Sequence, residues 1–281
     1  MTAQHPGPVA APNMGGNPPL VSVVVLTYNR AQLLAETVAA ILAQTYWNLE
    51  LIIVDNLSSD STADYVAELT DHRVTCYHNP NHGVLAVNRN LGIREARGKY
   101  VAFCDDDDVW LSTKLERQVS VLENSPRVAL CFTNTLAVRD SSETGRPMFS
   151  RPFGNSTFES LIWRNFICSS SVVVRKAVLD RLGLLDEDPA LTPYDDYHIW
   201  LRVAHSCGIC GIDEPLVRYR VHVSSFGARF AHRDLVVVRV LLSAQRRIGS
   251  HRASFWCSAA LRYVQYMVST LYRKLWSGRF G

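Results

Sequence analysis

Four consecutive aspartates, Asp105-Asp106-Asp107-Asp108, follow an apolar run that ends at Phe103-Cys104. Carboxylates packed this closely repel one another and raise one another's pKa. A divalent cation would relieve that repulsion, since Mg²⁺ takes one or two carboxylates together with phosphate oxygens and water. The plainer account is a solvated acidic loop, and the run alone leaves both open. A second acidic pair, Asp195-Asp196, stands between Tyr194 and Tyr197 and before Ile199-Trp200-Leu201-Arg202. Acids at a helix start are favoured by the helix dipole. A carboxylate placed there could equally take a proton from a hydroxyl as a general base. Asp55 follows Leu-Ile-Ile-Val and suits either a turn or a hydrogen bond to a base or ribose. Asn88-Arg89-Asn90 reads by itself as a solvated helix face, and His222 as a metal ligand or a surface histidine.

The elements that must position these groups alternate along the first half of the chain. Val21–Leu26, Leu51–Val54, Val74–Tyr77 and Tyr100–Phe103 read as strands. Ala31–Gln44, Thr62–Leu69 and Val84–Ala96 read as helices between them, and Ser112 is expected to cap another that runs to about Glu123. Continuous apolar strands between amphipathic helices imply a mainly parallel sheet covered on both faces. In such sheets ligands bind beyond the carboxyl ends of the strands. Those ends carry Thr27-Tyr28-Asn29-Arg30, Asp55-Asn56 and the aspartate run.

The pattern loosens in the second half. Val128–Phe132, Ser171–Val174, Ile209–Ile212 and Val217–Val221 read as short strands, Asp140–Pro147 as a polar loop and Asp195–Ala204 as a helix. From Asp234 the sequence is helical, with a break at Gly249–Ser250.

The 281 residues have ordinary globular composition, which excludes fibrous and wholly disordered classes. Net charge is +3, yet ten Lys and Arg face one Asp from Arg229 onward. A basic tail on an acidic body suits an anionic surface or partner. Trp256, Tyr263, Met267 and Leu271 among Arg262, Arg273 and Lys274 suit an interfacial helix on lipid, or a helix packed on the domain or in a homodimer. No charge-free apolar stretch approaches the roughly 20 residues that span a bilayer. Residues 1–19 are rich in Pro and Gly and read as a disordered leader without a secretory layout. The seven cysteines read as reduced thiols, the Cys207/Cys210 pair included, and the chain is expected in the cytoplasm, peripheral to the membrane if the tail meets it.

Six segments in this order, VSVVVLTYNR, LIIVDN, GVLAVNRNLGI, GKYVAFCDDDDVW, YDDYHIWLR and PLVRYRVH, resemble the family 2 glycosyltransferases. The likeness runs from about Val21 to about His222 and implies the GT-A fold: an α/β, Rossmann-like, mixed but mainly parallel sheet flanked by helices. Residues 20–228 would form that domain and residues 229–281 a basic helical extension. The resemblance implies that Thr27, Tyr28, Arg30 and Asp55 hold the nucleotide, and that Arg89 and Asn90 face it and its diphosphate. Asp105 and Asp106 would bind the nucleotide-sugar, Asp107 a Mn²⁺ or Mg²⁺ ion with His222, and Asp196 would be the base. The implied reaction is inverting transfer of a sugar, from a UDP-sugar foremost, to a hydroxyl of a glycan, glycolipid or glycoconjugate, as in polysaccharide biosynthesis. The chain departs from the family pattern at Leu26, where proline is usual, and at Asn56 and Asp195. A sugar nucleotidyltransferase is disfavoured because Thr27–Leu33 has no glycine. A catalytically inactive scaffold is disfavoured because no required carboxylate is missing. Nucleic acid is not expected as a partner, since no recognition motif accompanies the basic tail.

Overall fold

Aliphatic and β-branched runs form the centre of one nine-stranded sheet. The computed structural model describes residues 17–139, 142–150, 152–154, 156–221 and 233–277. The expected leader falls mostly, and His222 entirely, outside the described residues. The first half comprises β1 (Val21–Thr27), α1 (Ala31–Leu42), β2 (Leu49–Asp55), α2 (Thr62–Ala67), β3 (Val74–His78), α3 (Leu85–Glu95) and β4 (Tyr100–Asp105). The order β3-β2-β1-β4 is parallel throughout. Thr27 pairs with Asp55 and Leu26 with Asp105, so three polar strand ends lie side by side at one edge.

The rest of the chain turns the sheet mixed. It adds β5 (Val109–Trp110), α4 (Lys114–Asn124), β6 (Val128–Arg139), β7 (Ser142–Pro147), α5 (Phe158–Trp163), β8 (Val173–Arg175) and α6 (Lys176–Leu182). Then come α7 (Asp195–Ser206), β9 (Gly208–Arg220), α8 (Arg233–Ile248) and α9 (Ala253–Ser277). β8 runs antiparallel between β4 and β6, β6 is parallel to β9, and β5 closes the far edge against β9.

Three local expectations are corrected. The polar stretch before Pro147 is strand β7, paired to β6. The two short strands after Cys207 are one continuous β9, whose register against β6 shifts around Asn134 and Pro215. The cap of α4 is Thr113 rather than Ser112, and it makes no side-chain capping bond. Helices α5 and α6, of six and seven residues, are each under two full turns and too short to carry a strong periodic signal.

Two apolar layers sandwich the sheet. Val21, Val23 and Val25 point to α1 and α4, meeting Leu34, Val38, Ile41, Leu115, Val119 and Leu122. Val24, Ile52 and Val54 point the other way, into a cluster with Ile93, Trp200, Val203, Val240 and Phe255. Period-two side-chain alternation distributes one strand between both layers, so apolar residues sit on both faces of β1 and β2. Gly92 lets α3 approach β1 closely: a Cβ there would lie 2.4 Å from Val24 Cγ1. All seven cysteines are free thiols.

Candidate active site

The side-by-side strand ends gather carboxylates faster than cations. Asp105, Asp106, Asp107 and Asp108 leave β4, and α7 points its first turn, with Asp195 and Asp196, at the same place. Two guanidiniums answer them. Arg30 Nη1, from the loop after β1, lies 2.8 Å from both Asp106 and Asp107. Arg89, on α3, is 2.7 Å from Asp195 and 3.4 Å from Asp105. Burial alone would lower the Arg89 pKa, but Asp195, Asp105 and Asp196 raise it further, so it stays cationic. Arg89 therefore ties the strand-end run to the α7 pair across 106 residues of sequence.

The acidic shortage of cation shows in the carboxyls themselves. Burial pushes Asp106 up to about 6, with Arg30 opposing and Asp107 adding to the shift. Asp196 is pushed up to about 7, first by burial, against Arg89 and with Asp195. Its Oδ1 accepts from the Tyr197 amide at 2.6 Å, the local bond that an acid in the first helical turn can make. Asp195 is almost wholly buried and committed to Arg89 through Oδ2, while its Oδ1 has no hydrogen-bond partner.

Asp108 has a different part. It accepts from Ser170 Oγ at 2.5 Å and from the Arg220 amide at 3.0 Å, and it is fully buried. Burial raises its pKa far above the carboxylate range, with Asp107 and Asp105 adding to it. Ser170 in turn accepts from the Asp105 amide, and its carbonyl accepts from Trp110 Nε1. The fourth aspartate is thus a clip that fixes the other three to β9 and to the 3₁₀ turn Ser169–Ser171.

At the other strand ends, Asp55 is buried and accepts from the Ser58 amide at 3.1 Å and from Ser58 Oγ at 2.5 Å; His78 Nδ1 stands 3.1 Å away. Thr27 is buried at the end of β1, and Tyr28 leaves 53% of its surface free beside it. Asn29 holds a left-handed φ of 52° and accepts from the Ser59 amide, a conformation asparagine tolerates well. Asn90 is placed apart from these: its amide bonds Leu185 O, the Leu185 amide and Glu187 Oε1, so it anchors the segment before α7. Asn88, also buried, bonds Asn79. Ser58, His78, Ser170 and Glu187 were not singled out in the sequence. Only His78, at the end of β3, carried a signal, since the strand-end rule applies to it equally.

A divalent cation fits the donor chemistry. Asp105 and Asp107 offer hard oxygens, six carboxyls face only two guanidiniums, and 42% of the Asp105 side chain is open. Among the described residues no group of three or more His, Cys, Asp or Glu side chains is arranged to hold a metal ion by itself. Such a cation would therefore complete its shell from bound phosphates and water, as Mg²⁺ usually does.

A mainly parallel α/β sheet with its acidic strand ends gathered at one edge is the architecture to which comparison with known proteins gives a family. The family model described as glycosyl transferase family 2 matches residues 22–183, and the chain belongs to that family. It is a glycosyltransferase. Among curated relatives, it is 34% identical over 211 residues to the UDP-Glc:alpha-D-GlcNAc-diphosphoundecaprenol beta-1,3-glucosyltransferase WfaP of Escherichia coli, covering 74% of this chain and 80% of that one. Among solved structures, S. aureus TarS 1–349 in complex with UDP-GlcNAc superposes with a TM-score of 0.68 at 17% identity, over 81% of this chain and 66% of that one. The mannosyltransferase PcManGT of Pyrobaculum calidifontis, in complex with GDP-Man and Mn²⁺, gives 0.63 at 24%, over 92% and 79%. These two establish the GT-A fold, at identities too low to transfer residues.

Proposed function

We propose that the chain moves a hexose from a UDP-sugar to a hydroxyl of a lipid-linked glycan, with inversion at the anomeric carbon. The observation that carries this reading is the acidic pair that opens α7: Arg89 ties Asp195 to the strand-end Asp105, and the adjacent Asp196, raised to about 7, is left beside them with no guanidinium among the described residues bonded to it. The donor class is supported by the UDP-Glc in the name of WfaP, and the acceptor class by the diphosphoundecaprenol there.

In this reading Thr27, Tyr28, Arg30 and Asp55 line the nucleotide, with Asp55 fixed by Ser58 and His78. Asp105 and Asp106 face the sugar and ribose, and Asn90 acts by holding the Leu185–Glu187 segment in place. Asp105 and Asp107 would hold Mn²⁺ or Mg²⁺, which when bound supplies positive charge to the departing diphosphate. His222 is kept as an added ligand. Arg30 now lies on Asp106 and Asp107 and is poised to turn toward the diphosphate once another cation neutralises them. Asp196 removes the acceptor proton as that oxygen bonds the anomeric carbon; the bond from that carbon to the phosphate oxygen breaks, and the nucleoside diphosphate leaves. One displacement inverts the centre. Asp195, locked on Arg89, cannot turn to the acceptor without stranding a buried guanidinium.

Asp196→Asn is expected to abolish transfer while UDP still binds in calorimetric titration with Mn²⁺. Transfer retained by that variant removes Asp196 from the base role.

A further inference from the structure

We propose that the outer face of α9, with the α8–α9 turn, is a docking surface for an anionic phospholipid bilayer. Helix α9 is apolar on two opposite sides. Phe255, Ser258 and Ala259 face inward, where Phe255 packs 5.7 Å from Phe158 and Ser258 Oγ donates to Ile162 O. On the other side Trp256, Leu261, Tyr263, Val264, Met267 and Val268 are each 48–62% exposed. At 100° per residue these six fall within about half the helix circumference. Trp163, at the end of α5, extends the patch, since its carbonyl accepts from Arg262. Seven of the eleven exposed large hydrophobics among the described residues are therefore on one surface. A helix apolar all round is one that something covers on both sides.

Charge selects the occupant. Residues 233–277 hold eight Arg and Lys against Asp234, and α9 has no acidic residue. Arg247, Arg252 and Arg262 lean on Asp186, Glu159 and Asp234, whereas Arg239 and Arg246 have no acidic partner among the described residues. A cleft of about 360 Å³ opens at the turn, where Arg246 and His251 stand beside Leu242 and Trp256. Cation next to apolar wall matches a lipid phosphate above its acyl chains. A second copy of this chain would bring the same basic helices together with no acid on α9 to offset them. A bilayer fits where a copy does not: Trp and Tyr lie at the interface, aliphatics go below it, and Arg meets anionic headgroups. Among the described residues no helix is long and apolar enough to cross a membrane, so the helix lies on the surface. Arg233, the first residue of α8, donates to the Tyr194 hydroxyl at 2.9 Å, which sets this hairpin directly beside the Asp195–Asp196 turn.

The test is co-sedimentation of the full chain with phosphatidylglycerol–phosphatidylcholine vesicles. Binding is expected to fall at least about tenfold on pure phosphatidylcholine, or in about 1 M salt where screening shortens to roughly 3 Å. Val264→Glu with Met267→Glu should give a similar loss while thermal midpoint and UDP binding stay unchanged, because both side chains are exposed. Three results would overturn the proposal: no binding to anionic vesicles, equal binding to neutral ones, or a solution dimer that the double variant dissociates with no vesicle binding. None of these readouts requires sugar transfer, so a failure here is separate from a failure of the proposed reaction.

Discussion

Asp195 and Asp196 are adjacent, yet their surroundings give them different chemistry. Asp195 is held in a fixed position by a guanidinium 2.7 Å away. Asp196 has no such partner, and burial lifts it to about 7. A base with that pKa is ionised only above it, so kcat/KM should rise with pH and level off above about 7. A profile flat between about pH 5.5 and 8.5 would exclude it as the base. The same shift acts on stability. Between about pH 4 and 7 the folded state holds a proton that the unfolded chain has lost, so the Asp196 contribution weakens as pH rises and stays weak above 7. Asp196→Asn does not titrate. It should therefore be more stable than the parent above pH 7 by about 1–2 kcal/mol, since the carboxyl edge still meets solvent, with the gap closing toward pH 4. Urea melts of both proteins at about pH 5 and pH 8 measure this directly; a variant less stable than the parent at pH 8 contradicts the burial account.

Helix α3 shows how an element transmits accuracy to those residues. Arg89 reaches both acidic groups because α3 lies against β1, and that approach exists because residue 92 has no side chain. Gly92→Ala gains helix propensity, about 1 kcal/mol, but drives a methyl into Val24 in a rigid strand. The overpacking, at about 1–3 kcal/mol, is expected to win over that gain, with a net loss of up to about 2 kcal/mol in urea unfolding and a rise in KM for the donor as Arg89 shifts. Strands β1, β2 and β4 were legible because both their faces are buried, which writes apolar runs such as Val23–Leu26 and Leu51–Val54 into the sequence. Strand β7 was not, because Ser-Glu-Thr-Gly-Arg-Pro has no strand pattern and is a strand through its pairing with Leu136, Val138 and Arg139 at the end of β6. β9 looked like two strands because Asp213-Glu214-Pro215 interrupts it where the register shifts. The aspartate run was legible as a site but not in its division of labour. Nothing in four identical letters marks Asp108 as the one clipped by Ser170 and Arg220, residues distant in sequence.

The basic helices are part of the molecule's core as well as its edge. Val240 and Leu241 of α8 and Phe255 of α9 are fully buried, in the same apolar cluster as Trp200 and Val203 of α7. Full burial of each such side chain contributes about 1.5–3 kcal/mol, so these three alone approach the 5–15 kcal/mol that holds a typical domain together. Removing α8 and α9 would also bare Phe158 and Ile162, and with them the flank of the helix that carries Asp196. A chain ended at Val221 is therefore expected to lose its cooperative thermal transition and most of its soluble yield, rather than to remain a folded enzyme lacking only an attachment. Differential scanning calorimetry of the shortened and full chains decides it: an unchanged midpoint would mean the inner face of the hairpin contributes little. Because the inner face stabilises and the outer face is exposed, truncation confounds the two, and only surface substitutions such as those at Val264 and Met267 separate attachment from folding.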